Sequence, residues 1–209
     1  MPENAPQFQW RYPQTFWAVA VAAATTPRDF FAQMPRQGGY LPPLAFFVAA
    51  MLLPTLVRSI GKWSEGPVAM LTFLGTSLLF SLVMVLVFAF ALYCVCRFLF
   101  QTILELPDVT AIVCYSSGVR ILEFVPQLLS PLSSTLLAII MVLFIGSLVW
   151  TGLHVAGNMN RYQALMALGL SFVAIVGLWL LVNVLRGNSP LPGLSPAAGA
   201  GGAPAPGGP

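Results

Sequence analysis

The stretch Val68–Phe100, "VAMLTFLGTSLLFSLVMVLVFAFALYCVCRFLF", decides the architecture of this chain. It is almost unbroken apolar sequence with a single charge, Arg97, near its end. A helix crosses the hydrocarbon core of a bilayer with about 20 such residues, so this segment is long enough to span and to protrude. Its surroundings have the same character. Of the 209 residues, 58% are hydrophobic and 7% charged, against about 25% charged in a soluble domain. The mean hydropathy is +0.86. The solvent for most of the chain is therefore lipid. The formal charge of +3 comes from arginines in loops, where they orient spans, and no basic cluster interleaved with aromatics points to nucleic acid.

Working outward, four further apolar segments appear at about 40–56, 108–125, 132–155 and 162–185. With the stretch above they predict an all-α, polytopic membrane helix bundle with five transmembrane helices. The segments at 132–155 and 162–185 are long enough to span, whereas 40–56 is marginal. The segment at 108–125 is short, and Pro126 and Pro131 at its exit suit a short span and a tight re-entrant turn equally well. The connections "RSIGKWSEGP", "QTILELPD", "PQLLSP" and "GNMNR" are too short to fold by themselves. Residues 1–13 form a polar lead, 14–186 the membrane domain, and 187–209 a Pro/Gly/Ala-rich tail that cannot bury a core and is expected to be disordered. Nothing in the first residues has the order of a cleavable signal peptide, so insertion is expected to use the spans themselves. Arginine and lysine counting puts Arg11, Arg28, Arg36, Arg97 and Arg161 inside and Arg58, Lys62 and Arg186 outside, with Arg120 assignable to the outer side. This predicts a cytoplasmic N-terminus and an outer C-terminus.

Ahead of the first span, "TTPRDFFAQMPRQGGYLPPLAFF" (25–47) predicts a short helix from Pro27 to Pro35. Thr26 is expected to cap it with Asp29 completing a capping box. Phe30, Phe31 and Met34 are its apolar members, and Arg28 and Arg36 bracket it. With the apolar but short run "TFWAVAVAAATT" before it, this reads as an interfacial helix pair. Such a pair either anchors the bundle or forms a docking face for a cytoplasmic partner.

These residues resemble the opening of bacterial members of the Yip family. "VTAIVCYSSGVRILEFVP" is similar to that family's third span, and "GLHVAGNMNRYQAL" to its turn between spans four and five. The resemblance covers about 14–186. It implies five spans, a cytoplasmic N-terminus and no known enzyme activity. Eukaryotic members bind small GTPases in vesicle traffic. This chain has only about forty residues before its first span and no Asp-Leu-x-Gly-Pro motif, so that role is not carried over.

Two polar constellations stand out inside the apolar sequence. Arg120 and Glu123 share a helix face and can pair, either as a structural pair snorkelling at a span end or as a functional intramembrane pair. Ser147, Thr151, His154 and Asn158 form one stripe on the fourth span, read either as helix–helix contacts, with Gly146 and Gly152 allowing close approach, or as a polar path for a small ligand. Gly169, Ala174 and Gly177 suit close packing on the fifth span. Asp108 is expected to cap the third helix. Cys94, Cys96 and Cys114 have the spacing of neither a metal site nor a disulfide and read as packing residues. No nucleophile–base pair, phosphate loop or metal-ligand set is present, so neither enzyme activity nor any cofactor is expected. The expectation for function is a non-enzymatic scaffold or interaction protein of the bacterial inner membrane. Its partners would be the lipid bilayer, other membrane proteins or a second copy of itself. The alternative is a small transporter or channel subunit that uses the polar stripe.

Overall fold

The computed structural model describes residues 8, 9, 12, 14–34, 39–123 and 131–185, the last with backbone only at 131–134, 179, 181 and 183–185. Arg11, Arg36, Pro126, Arg186 and the 187–209 tail lie outside the described residues. The chain divides into two units, Met1–Phe172 and Val173–Pro209. The described part of the second is the final stretch of the last helix, with Val173, Leu178 and Leu180 exposed.

Among the described residues all regular structure is helical: α1 (Thr15–Thr25), α2 (Pro27–Ala32), α3 (Leu41–Ile60), α4 (Pro67–Cys94), α5 (Leu106–Ser116), α6 (Pro131–Ala156) and α7 (Arg161–Leu185). Among the described residues, four helices are long and apolar enough to cross a membrane, at Leu41–Ile60, Pro67–Leu99, Thr135–Ala156 and Arg161–Leu178. The remaining apolar segment is an α-helix of 11 residues, α5, continued by a 3-10 helix over Ser117–Glu123.

The breaks between elements have local causes. Thr25 and Thr26 turn their hydroxyls back onto the carbonyls of Val21 and Ala22, at 2.8 and 3.2 Å, and Pro27 then stops α1 because it has no N–H to continue the ladder. This corrects the expected cap of α2: Thr26 makes no side-chain cap bond to it, because its hydroxyl is already engaged by the preceding helix. The capping box forms instead at α5. Glu105, not Asp108, is the N-cap residue, and Asp108 at the third helical position accepts from the Glu105 backbone N–H at 3.2 Å. At the far end of α4 the helix widens into a π turn, Val95–Leu99. It is closed by Thr102, whose backbone N–H and hydroxyl both donate to the Cys96 carbonyl at 3.1 and 3.2 Å.

α3 packs on α4, on α5 and on the 3-10 helix, and α5 also packs on α4 and α6. α1 and α2, read from the sequence as an interfacial pair, also join this core. Their apolar faces pack on the bundle itself: Phe16, Val19, Ala23, Phe30, Phe31 and Met34 are all buried. A six-residue helix with both of two successive phenylalanines buried is wedged between two neighbours, since consecutive side chains point to different sides. Phe30 meets the Tyr115 ring at 5.5 Å, Tyr115 meets Phe46 at 5.2 Å, and Phe46 stacks on Phe16 at 4.9 Å. This aromatic chain ties the N-terminal helices to α3 and α5, and each such pair contributes roughly 0.5–1.5 kcal/mol beyond simple burial.

Glycines mark the closest approaches. A Cβ on Gly118 would stand 2.7 Å from the Phe46 ring, and one on Gly152 would stand 2.5 Å from Ile112 Cγ2. Gly169, by contrast, has nothing within 4 Å of that position among the described residues, so the close packing expected there is not seen among them. The bundle has two recognisable ends. At one, Leu104 lies beside Gly157, just after α6. At the other, Arg58 near the end of α3 reaches Glu123 at the end of the 3-10 helix.

Candidate functional site

Between α4 and α6 lies an open cleft of about 980 Å³. α4 lines one wall with Phe80, Ser81, Met84, Val85 and Phe88, whose spacing of one, three, one and three puts them on a single face. α6 lines the other with Thr135, Ala138, Met141, Val142, Ile145 and Val149. Val113 and Ser117 form the floor, and Arg58, Arg120 and Glu123 stand at one end. The floor exists because α5 tightens into a 3-10 helix. Ser117 bonds back to the Val113 carbonyl at 2.8 Å, and Gly118 lets the backbone slip beneath Phe46.

In a 3-10 helix residues three apart eclipse one another, which sets Arg120 directly over Glu123. Arg120 Nε donates to Glu123 Oε1 at 2.5 Å, and Arg58 Nη2 donates to Oε2 at 3.3 Å. The expected Arg120–Glu123 pair is therefore one of two ion pairs in a three-residue cluster, in which one carboxylate serves two guanidiniums. Arg58 is the member that sequence reasoning missed as a partner. The only available signal was its place in the last turn of the first span, because 65 positions separate it from Glu123. Side-chain exposures of 47% for Arg58, 32% for Arg120 and 16% for Glu123 show the carboxylate enclosed and the arginines reaching outward. The neighbouring charges Lys62 and Glu65 pair with each other at 2.6 Å, so they do not neutralise the cluster.

The stripe on α6 lies elsewhere. Ser147 and Thr151 donate to the carbonyls of Phe144 and Ser147, at 2.7 and 2.8 Å, within their own helix. His154 Nδ1 is 2.6 Å from the Met159 carbonyl. A carbonyl only accepts, so Nδ1 carries the proton. The imidazole also stacks on Trp150, with ring centroids 6.3 Å apart. Asn158 is exposed and takes a left-handed φ of 49°, ending the turn before α7. At 100° per residue, Ser147 and Thr151 point away from Ile145 and Val149, so the stripe and the cleft occupy opposite sides of α6.

At the N-terminus Arg28 is exposed, while Phe30 and Phe31 are buried and face α5 and α6; Arg36 lies outside the described residues. Cys96 and Cys114 are buried and Cys94 is half-buried, all three as free thiols. Among the described residues no group of three or more His, Cys, Asp and Glu is placed to hold a metal ion.

No curated protein sequence and no solved structure matches the chain. The family model described as the Yip1 domain matches residues 21–183. That range holds α2 to α6, the cleft with its arginine–glutamate cluster, the last five residues of α1 and nearly all of α7. Apolar helices long enough to cross a bilayer, together with this match over most of the sequence, make the chain a multi-pass membrane protein that belongs to the Yip1 domain family.

Proposed function

We propose that this protein is a non-enzymatic scaffold of the bacterial inner membrane, which binds other membrane proteins through its N-terminal helices. The observation that carries the reading is how α1 and α2 are held. Buried Phe16, Val19, Phe30 and Phe31 anchor them in the core, and Trp17, 58% exposed, and Val21, 56% exposed, are left facing outward, with exposed Arg28 beyond them. A rigid aromatic and an arginine on a fixed backbone are the side chains that most often dominate protein interfaces. The matching partner is a membrane protein with an apolar pocket rimmed by carboxylates. Because α1 and α2 belong to the core, deleting them would unfold the bundle, so point variants are the proper test. Trp17→Ala and Arg28→Glu are expected to leave the protein folded and to weaken partner recovery in mild detergent. Truncating an anchor of this kind costs about 2 kcal/mol or more, about 30-fold in affinity. Recovery of no stoichiometric membrane protein, or of the same one from both variants, would overturn the scaffold reading.

The proposal includes five spans, with the N-terminus in the cytoplasm and the C-terminus outside. α5 and the 3-10 helix together rise roughly 30 Å, which is about the thickness of the hydrocarbon core. They run from the Leu104–Gly157 end of the bundle to the Arg58–Glu123 end. Single cysteines placed at Lys62 and Leu122 in a Cys94→Ser background are expected to react with an impermeant maleimide from outside, and those at Gln101 and Asn160 only after the membrane is opened. Labelling of position 122 on the side of position 101 would mean that the third segment turns back. A transport role through the α6 stripe has less behind it, since the stripe's hydroxyls bond within their own helix and face away from the cleft.

A further inference from the structure

The geometry points to the cleft between α4 and α6 as a binding site for one anionic phospholipid, with its phosphate held by Arg58 and Arg120 and an acyl chain lying along Met84, Met141 and Ile145. The inference goes beyond the scaffold reading but rests on the bundle lying across the bilayer, as proposed above.

Three observations carry it. The first is charge. Two guanidiniums face one carboxylate, and each uses a single nitrogen on Glu123, out of five N–H donors available to an arginine. The cluster therefore keeps a net positive charge and unused donors in the fork arrangement that suits phosphate. Glu123 fixes the two forks side by side. The second is length. From Thr135 to Val149 the α6 wall rises about 21 Å, more than the roughly 15 Å depth of one hydrocarbon leaflet, and it is apolar below Thr135. A cluster placed at the headgroup level thus continues into a slot as deep as an acyl chain. The third is access. Phe80 and Val142 at the rim are each 67% exposed, whereas Val85, Met141 and Val149 beneath them are buried, so the cleft opens sideways into the bilayer, where a lipid arrives. The two methionines can adapt to a flexible chain. The volume of about 980 Å³ is at the upper end of the range for small-molecule sites.

The test uses the full chain in detergent. Thermal unfolding midpoints are measured against added phosphatidylglycerol, phosphatidylcholine with the same acyl chains, and inorganic phosphate. Native mass spectrometry counts retained lipid. Phosphatidylglycerol is expected to stabilise the wild type at concentrations where the other two do not, with one lipid retained per chain. Arg58→Gln is expected to weaken phosphatidylglycerol about fivefold, since one such charge near a lipid headgroup is worth about 1 kcal/mol. Arg58→Lys is expected to recover part of the loss. Ala138→Trp, which fills the slot and leaves the charges in place, is expected to abolish retention. Should that variant not fold, Met84→Ala with Met141→Ala would enlarge the slot and is expected to change which chain length binds best. Equal stabilisation by the two lipids, or a preference unchanged by Arg58→Gln, overturns the proposal. A response to inorganic phosphate equal to that of phosphatidylglycerol reduces the site to a free-anion site and also overturns it. Occupation of the cleft by a second copy, seen as disulfide-linked dimers of a Val142→Cys variant, would do the same. The maleimide labelling separately reports whether the third segment crosses, so failure there is distinguishable from failure here.

Discussion

Phe31→Ala is expected to lower the stability of the bundle by about 3 kcal/mol. Phe31 is 1% exposed, packs beside Phe30 with ring centroids 5.3 Å apart, and its Cε1 lies 3.4 Å from where a Cβ on Gly152 would be. Phenylalanine-to-alanine changes in soluble cores cost about 3–5 kcal/mol, part transfer from water and part cavity. In a membrane protein much of the transfer part vanishes, because the unpacked side chain meets lipid rather than water. The cavity part remains, since the ring's neighbours cannot follow it. The low end of the range is therefore the expected value. For a chain of this size it corresponds to a fall of roughly 6–12 °C in the unfolding midpoint, read in detergent by loss of helical circular dichroism. A fall below about 2 °C would mean that α2 is not wedged as described. Trp17→Ala, on the exposed side of α1, gives up only an edge contact with the Phe16 ring 5.4 Å away and is expected to lower the midpoint by no more than about 2 °C, because surface substitutions usually stay within about 0.5 kcal/mol.

Gly152→Val tests the same contact from the opposite direction. A Cβ there would stand 2.5 Å from Ile112 Cγ2 and 3.4 Å from Ile112 Cγ1. The threatened atoms branch directly from the Ile112 Cβ, where rotation is stiff, and Ile112 is fully buried. Separation of α5 from α6 is then the main relief. Overpacking of this kind costs about 1–3 kcal/mol, and the better helix propensity of valine returns only about 0.5 kcal/mol. A destabilisation of about 2 kcal/mol is expected. If the cause is this contact, Ile112→Ala should restore part of the stability of Gly152→Val while being destabilising alone, giving a coupling of roughly 1 kcal/mol or more in a double-mutant cycle. Strict additivity would place the damage elsewhere. Gly169→Ala is the matched control. With nothing within 4 Å of its Cβ position, it is expected to be neutral or to stabilise by up to about 1 kcal/mol through helix propensity.

The contrast between Gly152 and Gly169 also shows where sequence reading stops. Both glycines sit in apolar helices, and a pattern of small residues marks each as able to approach a neighbour. Only the partner across the interface, Ile112 for one and none for the other, decides whether it does. Phe30 and Phe31 are a similar case. An arginine-flanked, phenylalanine-rich helix before a span has the composition of an interfacial anchor, yet both rings are buried against α5 and α6. Composition records that a side chain prefers to leave water; it does not record whether lipid or protein receives it.

By itself the sequence determined the all-α membrane class, the positions of the long apolar helices to within a few residues, and the pairing of Arg120 with Glu123. Each follows from local rules: run length against bilayer thickness, and the reach of side chains three apart on a helix. Tertiary structure alone decided that Glu123 also takes Arg58, that the α6 stripe faces away from the cleft, and that α1 and α2 close the core. In water, hydrophobic periodicity tells inside from outside. In a bilayer the lipid-facing and core-facing sides of a helix are equally apolar, so long uniform segments such as α4 and α6 carry little record of which side packs, and the facing is settled by shape complementarity between helices distant in sequence.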